Sequence, residues 1–171
     1  VINDVVERYE QEEIRKIYVP ATITEKEAYE NVRGVRIGVR PRIKELIEFS
    51  KLLCIKRLGV AFCSGLRDEG RRVVEILEEG GGFEVASVMC KCGGVDKTIL
   101  HVAEEYKIAD PTKFEAACNP VLQAELLNKA MTELNIIVGL CIGHDILFTK
   151  HSKAPVTTLI VKDRVLGPNP V

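Results

Sequence analysis

The feature that most constrains this chain is the alternation of short apolar runs with amphipathic stretches after residue 57. Leu58-Gly59-Val60-Ala61-Phe62-Cys63, Phe83 to Met89, Leu134 to Leu140 and Thr157 to Val161 each read as a strand. The runs are almost continuously apolar, as strands covered on both faces require. Between them, Leu66 to Glu79 reads as a helix with Val73, Val74 and Leu77 inward. Asn119-Pro120 opens another that runs to about Met131, with Asn as cap and Pro in the first turn. Gly143 to Lys150 gives a third. Strand, helix, strand in repetition predicts an α/β fold with a mostly parallel sheet, in a three-layer Rossmann-like arrangement.

Upstream of the first strand the pattern is helical. Asn3 to Tyr18 carries Val5, Val6, Tyr9, Ile14 and Ile17 at helical spacing, and Pro20 reads as its end. Thr24 with Glu27 has the form of a capping box, so a second short helix is expected up to Gly34. Pro41 opens a third, with Ile43, Leu46, Ile47, Leu53 and Cys54 on one face. Thr98 to Tyr106 reads as a further helix, and residues 167–170 as coil. Nothing in composition marks a linker. The expected organisation is one domain over residues 1–171, with an N-terminal helical segment at 1–39 and the sheet-containing core at 40–171.

Charge excludes one class of function. Lys and Arg total 24 against 25 Asp and Glu, a net charge of -1, so bulk attraction to nucleic acid is not expected. No apolar run approaches the ~20 residues of a membrane span. Residues 1–15 lack the apolar core of a signal peptide. A cytoplasmic protein with no membrane partner is the expectation, bound instead to a metal or small molecule.

The informative excess is six cysteines. The strands of a parallel sheet share one carboxyl rim, where ligands bind. Cys63 ends the first strand, Cys90 and Cys92 follow the second, and Cys141 follows the third. Cys118 lies just before the cap at Asn119, and Cys54 sits on a helix face as a packing residue. Each cysteine alone reads as a small buried hydrophobe. As a set on one rim they read as soft ligands for zinc or an iron–sulfur cluster, with His144 as a further donor. The metal-ligand set is then Cys63, Cys90, Cys92, Cys118, Cys141 and His144. The Cys90-Lys91-Cys92 spacing is not the C-x-x-C of zinc ribbons, and no second such pair exists. Three residues after Cys141, His144 with Asp145 beside it also suits a base for a thiol nucleophile. Gly93, Gly94 and Asn119 offer a close backbone approach for a cofactor.

Four segments carry a family resemblance: Cys90-Lys91-Cys92-Gly93-Gly94-Val95-Asp96-Lys97, Ala117-Cys118-Asn119-Pro120, Gly139-Leu140-Cys141-Ile142-Gly143-His144-Asp145, and Ala154 through Gly167. From about Arg40 onward the chain resembles a prokaryotic family of unknown function, number eighteen forty-seven, whose members are labelled metal-binding proteins. The resemblance implies a metal site on Cys63, Cys90, Cys118, Cys141 and His144, and no reaction. The family's cysteine-rich N-terminal segment is absent from this sequence, Cys92 falls where the family is not regularly cysteine, and Pro168 stands in place of a histidine.

Three functions compete. The first is a metal or cluster protein. The second is a thiol-dependent enzyme using Cys141 or Cys90 with His144 on a small anionic substrate. The third is a non-catalytic binding module.

Overall fold

In the computed structural model, residues 1–167 are described. The chain divides into two compact units, Val1–Ile55 and a second beginning at Lys56. Among the described residues no helix is long and apolar enough to cross a membrane.

The first unit contains α1 (Ile2–Arg8), α2 (Glu12–Glu27), β1 (Tyr29–Val32), β2 (Val35–Gly38) and α3 (Arg42–Leu52). Three expectations are corrected here. The first helix breaks at residues 9–11, and α2 then runs straight through Pro20. Proline removes one donor from the ladder, yet the hydroxyls of Thr22 and Thr24 bond back to the carbonyls of Tyr18 and Pro20 at 3.1 and 2.9 Å. Thr24 is therefore inside a helix and buried, not a cap. The residues up to Gly34 form no second helix. They enter an antiparallel hairpin with Val32 opposite Val35, turned by Arg33 and Gly34 at φ 52° and 82°, the left-handed pair that a tight hairpin demands. Cys54 is exposed and left-handed at φ 58°. The helical stripe projected it inward, but α3 has already ended: Ile55 N–H bonds to Ser50 O at 3.0 Å, which closes the helix and turns Cys54 outward.

The second unit holds the parallel sheet. Its strands are β3 (Arg57–Phe62), β4 (Glu84–Met89), β5 (Leu134–Val138) and β6 (Val156–Ile160), in spatial order β4-β3-β5-β6. Every pairing is parallel, as the apolar runs require. The helices are α4 (Arg67–Glu75), α5 (Pro120–Lys129) and α6 (His144–His151). A 3-10 turn at Ser64–Leu66 precedes α4, and a π-turn at Ile76–Gly80 follows it. The helix expected over Thr98 to Tyr106 is replaced by two 3-10 turns, Lys97–Leu100 and Glu104–Tyr106. His101 stands between them at φ 60°, a conformation that stops a helix. The coil expected at 168–170, and the family position at Pro168, lie outside the described residues.

Alternation along β3 distributes the core. Ala61, Cys63, Cys90, Ala124, Leu127, Ile137, Leu140 and Phe148 form one buried cluster. Each large aliphatic or aromatic member contributes about 2 kcal/mol by leaving water. Phe62, of the opposite parity, meets α4, where a Cβ on Gly70 would come within 2.9 Å of its ring. Polar Asn135 is fully buried inside β5, and its amide is satisfied by Thr132 Oγ1 and Ser152 Oγ, both at 2.8 Å. Its side chain occupies the space over Gly59, where a Cβ would sit 1.9 Å from Oδ1. Gly59→Ala should therefore cost about 2–3 kcal/mol through overpacking. Gly80→Ala, with nothing within 4 Å of its Cβ position, should stay within about 0.5 kcal/mol of the parent. Urea unfolding of the two variants checks the contrast.

Candidate functional site

The sheet order reverses direction around β3. From β3 the chain crosses to β4 on one side, then to β5 on the other. The crevice between such strands, at their carboxyl ends, is where open α/β sheets bind ligands. The register brings this rim into line: Phe62 pairs with Met89 and with Val138. The ladder continues one step further, with Cys63 N–H on Val138 O at 3.1 Å and Cys90 N–H on Phe62 O at 2.9 Å. Cys63 and Cys90 thus leave adjacent strands side by side, both buried, at 4% and 2% exposure.

Cys118 joins them from a loop. Asn119 N–H bonds to Cys90 O at 2.6 Å and ties the start of α5 to the end of β4. That contact brings the Cys118 thiol to 3.6 Å from Cys90 Sγ, to which it donates. Ser64 N–H, at the turn after β3, points at the same sulfur from 3.2 Å. The loop that carries Cys118 is itself anchored by Asp96. Its carboxylate accepts from Thr98 N–H at 2.9 Å and Glu115 N–H at 2.6 Å, and lies 3.3 Å from the buried Lys107 ammonium. Those bonds hold the Asp96 carboxyl far below the usual carboxylate range.

The sulfur pair has unequal proton affinities. The Cys118 hydrogen bond lowers the Cys90 thiol to about 5; burial opposes this, and Ser64 N–H adds to the lowering. Cys118 is pushed strongly upward, because the bond it donates holds its proton, and burial and the charges of Cys90, Cys141 and Cys63 add to this. The two shifts have one cause: the shared hydrogen bond favours negative charge on Cys90 and the proton on Cys118.

Two cations follow β6. Lys162 Nζ donates to Cys63 Sγ at 2.7 Å, and Arg164 Nη2 donates to Cys141 Sγ at 3.2 Å. Burial pulls the Lys162 ammonium down, but its bond to Cys63 and the sulfur of Cys141 carry it above its ordinary value. Neither cation is ion-paired with a carboxylate among the described residues. The sequence offered only two basic residues just past the last strand as a signal for them. Gln123 was also missed. It is fully buried on α5, with Nε2 bonded to Val88 O at 2.8 Å, so it clamps the end of β4.

The remaining candidates take other places. Cys92 is half-buried with Sγ 3.7 Å from Asn119 O, and burial raises its thiol. Asn119 Oδ1 caps α5 through Leu122 N–H at 3.0 Å. Gly93 and Gly94 adopt φ 86° and 59°, and the open side of Gly93 faces Leu122, 3.0 Å from where a Cβ would sit. Asp145 Oδ1 accepts from Gly143 and Ile146 N–H at 2.9 and 2.8 Å and so shapes the turn into α6. His144 joins Cys141 through its backbone, N–H to O at 2.9 Å. Its imidazole bonds to no sulfur among the described residues.

Thiolates are chemically suited to zinc or iron–sulfur. Among the described residues no three His, Cys, Asp or Glu side chains are grouped to hold a metal ion. Lys162 and Arg164 also stand against Cys63 and Cys141, where a metal cation would be repelled.

Residues 1–159 match the family described as protein of unknown function (DUF1847), so the likeness extends back through residues 1–39 as well. An uncharacterised protein of Methanocaldococcus jannaschii is 46% identical over 169 residues, which cover 99% of this chain and 80% of that protein. No solved structure matches.

The unequal thiols make stability depend on pH. Cys90 falls from an ordinary value of 9.0 to about 5 on folding, so its contribution is absent below pH 5 and complete above pH 9. Cys118 is raised, so it opposes folding once an unfolded thiol would ionise. The stability of the parent relative to Cys90→Ser should rise between pH 5 and pH 9 and fall beyond. Urea unfolding across that range measures it, and a flat difference would mean that Cys90 is an ordinary thiol.

Proposed function

This chain belongs to the DUF1847 family, and we propose that it is a thiol-dependent enzyme that acts on a small anionic substrate. The observation that carries the reading is the Cys90–Cys118 pair, with sulfurs 3.6 Å apart and Ser64 N–H on Cys90, at the carboxyl rim of a parallel sheet. The sheet itself we read as the middle of a three-layer, Rossmann-like arrangement. The packing of α4 on Phe62 and α5 on Gly59, residues of opposite parity in β3, supports this.

Each group has a task. Cys90 carries the charge at rest, and Ser64 N–H with the Cys118 thiol stabilises it, as backbone and thiol donors do for low-pKa cysteines. Cys90, the thiolate of the pair, is the nucleophile. When it attacks an electrophile, the Cys118 thiol gives its proton to the group that leaves. Lys162 and Arg164 attract the anion and stabilise negative charge that develops on it. Ser64 N–H and the Cys118 thiol thereby activate the nucleophile, the task that the sequence suggested for His144.

A second reading keeps Cys63, Cys90, Cys118 and Cys141 as ligands of zinc or an iron–sulfur cluster. The electrostatic coupling of Cys118 to the other three sulfurs supports it. It requires Lys162 and Arg164 to turn away. Stoichiometric zinc or iron after anaerobic purification would favour it over the enzyme.

The anion preference is directly measurable. Alkylation of Cys90 by iodoacetate, relative to neutral iodoacetamide, should fall roughly tenfold in the Lys162→Ala, Arg164→Ala double variant, since two nearby charges together supply about 1–2 kcal/mol. Mass-spectrometric mapping gives the ratio, and an unchanged ratio would remove the anion site.

A further inference from the structure

We propose that the Cys90–Cys118 pair exchanges electrons with small anionic disulfides, cycling between a dithiol and an intramolecular disulfide. This rests on the thiol reading above and names its substrate class. The observation behind it is the convergence of two sulfurs from different segments. Cys90 leaves β4 and Cys118 precedes α5, and the Asn119 N–H bond to Cys90 O pins the two backbones together at 2.6 Å. A separation of 3.6 Å closes to the ~2.05 Å of a disulfide by a small side-chain movement. Neither segment is interior to a helix or strand at these residues. Cys63 also hydrogen-bonds to Cys90 and adds to the lowering of its thiol, after Cys118 and Ser64.

The exchange balances in two steps. Cys90 thiolate attacks one sulfur of the substrate RS–SR. The substrate S–S bond breaks, a Cys90–S–S–R mixed disulfide forms, and RS⁻ leaves and takes the proton of Cys118 as RSH. Cys118 thiolate then attacks Cys90 sulfur, and the second RS⁻ departs. The pair is oxidised by two electrons and the substrate is reduced to two thiol equivalents, one of them leaving as thiolate. Such exchange proceeds through a mixed disulfide at a rate set by the thiolate fraction and by access. Lys162 and Arg164, held on the Cys63 and Cys141 sulfurs, are the cations for the substrate's carboxylates.

Oxidised glutathione is the probe. Incubated anaerobically with the reduced full chain, it should yield a protein lighter by two hydrogens, and peptide mapping should link Cys90 to Cys118. Cys118→Ser should stop at the first step and accumulate glutathione on Cys90, with no internal link. Glutathione spread over the exposed cysteines without a Cys90–Cys118 link, or no reaction at all, would overturn the proposal. Iodoacetate separates the two levels of the account. If Cys90 shows its anion-dependent alkylation and no link forms, the disulfide exchange fails and the thiol reading stands. If Cys90 shows neither, both fail.

Discussion

The rest of the structure depends on the common direction of four strands. A parallel sheet has only one carboxyl edge, so every residue that follows a strand is delivered there, however far apart such residues lie in sequence. Cys63, Cys90 and Cys141 reach the rim in that way. The reversal of strand order at β3 opens the crevice between them. Cys118 follows no strand, and it arrives only because the Asp96 carboxylate and the Asn119–Cys90 backbone bond fix the long loop before α5.

Placing a sulfur anion at 2% exposure is costly unless donors replace the lost water. Here the replacements are a backbone N–H and a neighbouring thiol. The neighbour keeps its proton because it donates the bond that lets Cys90 lose its own, and burial and the negative charge of Cys90 add to this. Lys162 and Arg164 offset the remaining negative potential.

Much of the second unit was legible in the sequence. The apolar runs located all four strands to within a residue or two, because double-sided burial leaves little freedom in what a strand contains. Asn119-Pro120 marked the start of α5, since capping is a local event. The first unit was harder. Pro20 reads as a stop, and only the back-bonded threonines one turn away reveal that α2 continues. The hairpin at Tyr29–Gly38 has mixed polarity and exposed strands, so alternation gives no signal, and Arg33 in a left-handed turn is not a residue that announces one. At the site, the cysteines were visible by their position after strands. Their partners were not: Ser64 contributes a backbone N–H, which any residue has, and Lys162 and Arg164 acquire meaning only once β6 is seated beside β5. His144 drew attention by its spacing from Cys141, and it meets that residue through its backbone N–H.

The central claim is that one proton is held between Cys90 and Cys118, unequally. Carbon-13 labelling of the cysteine β-carbons, followed by NMR from acid to alkaline pH, reads the ionisation of each thiol separately. The account expects the Cys90 signal to move with a midpoint of about 5 while Cys118 stays protonated past the range where an ordinary thiol ionises. Both signals moving together near the ordinary value of 9.0 would contradict it.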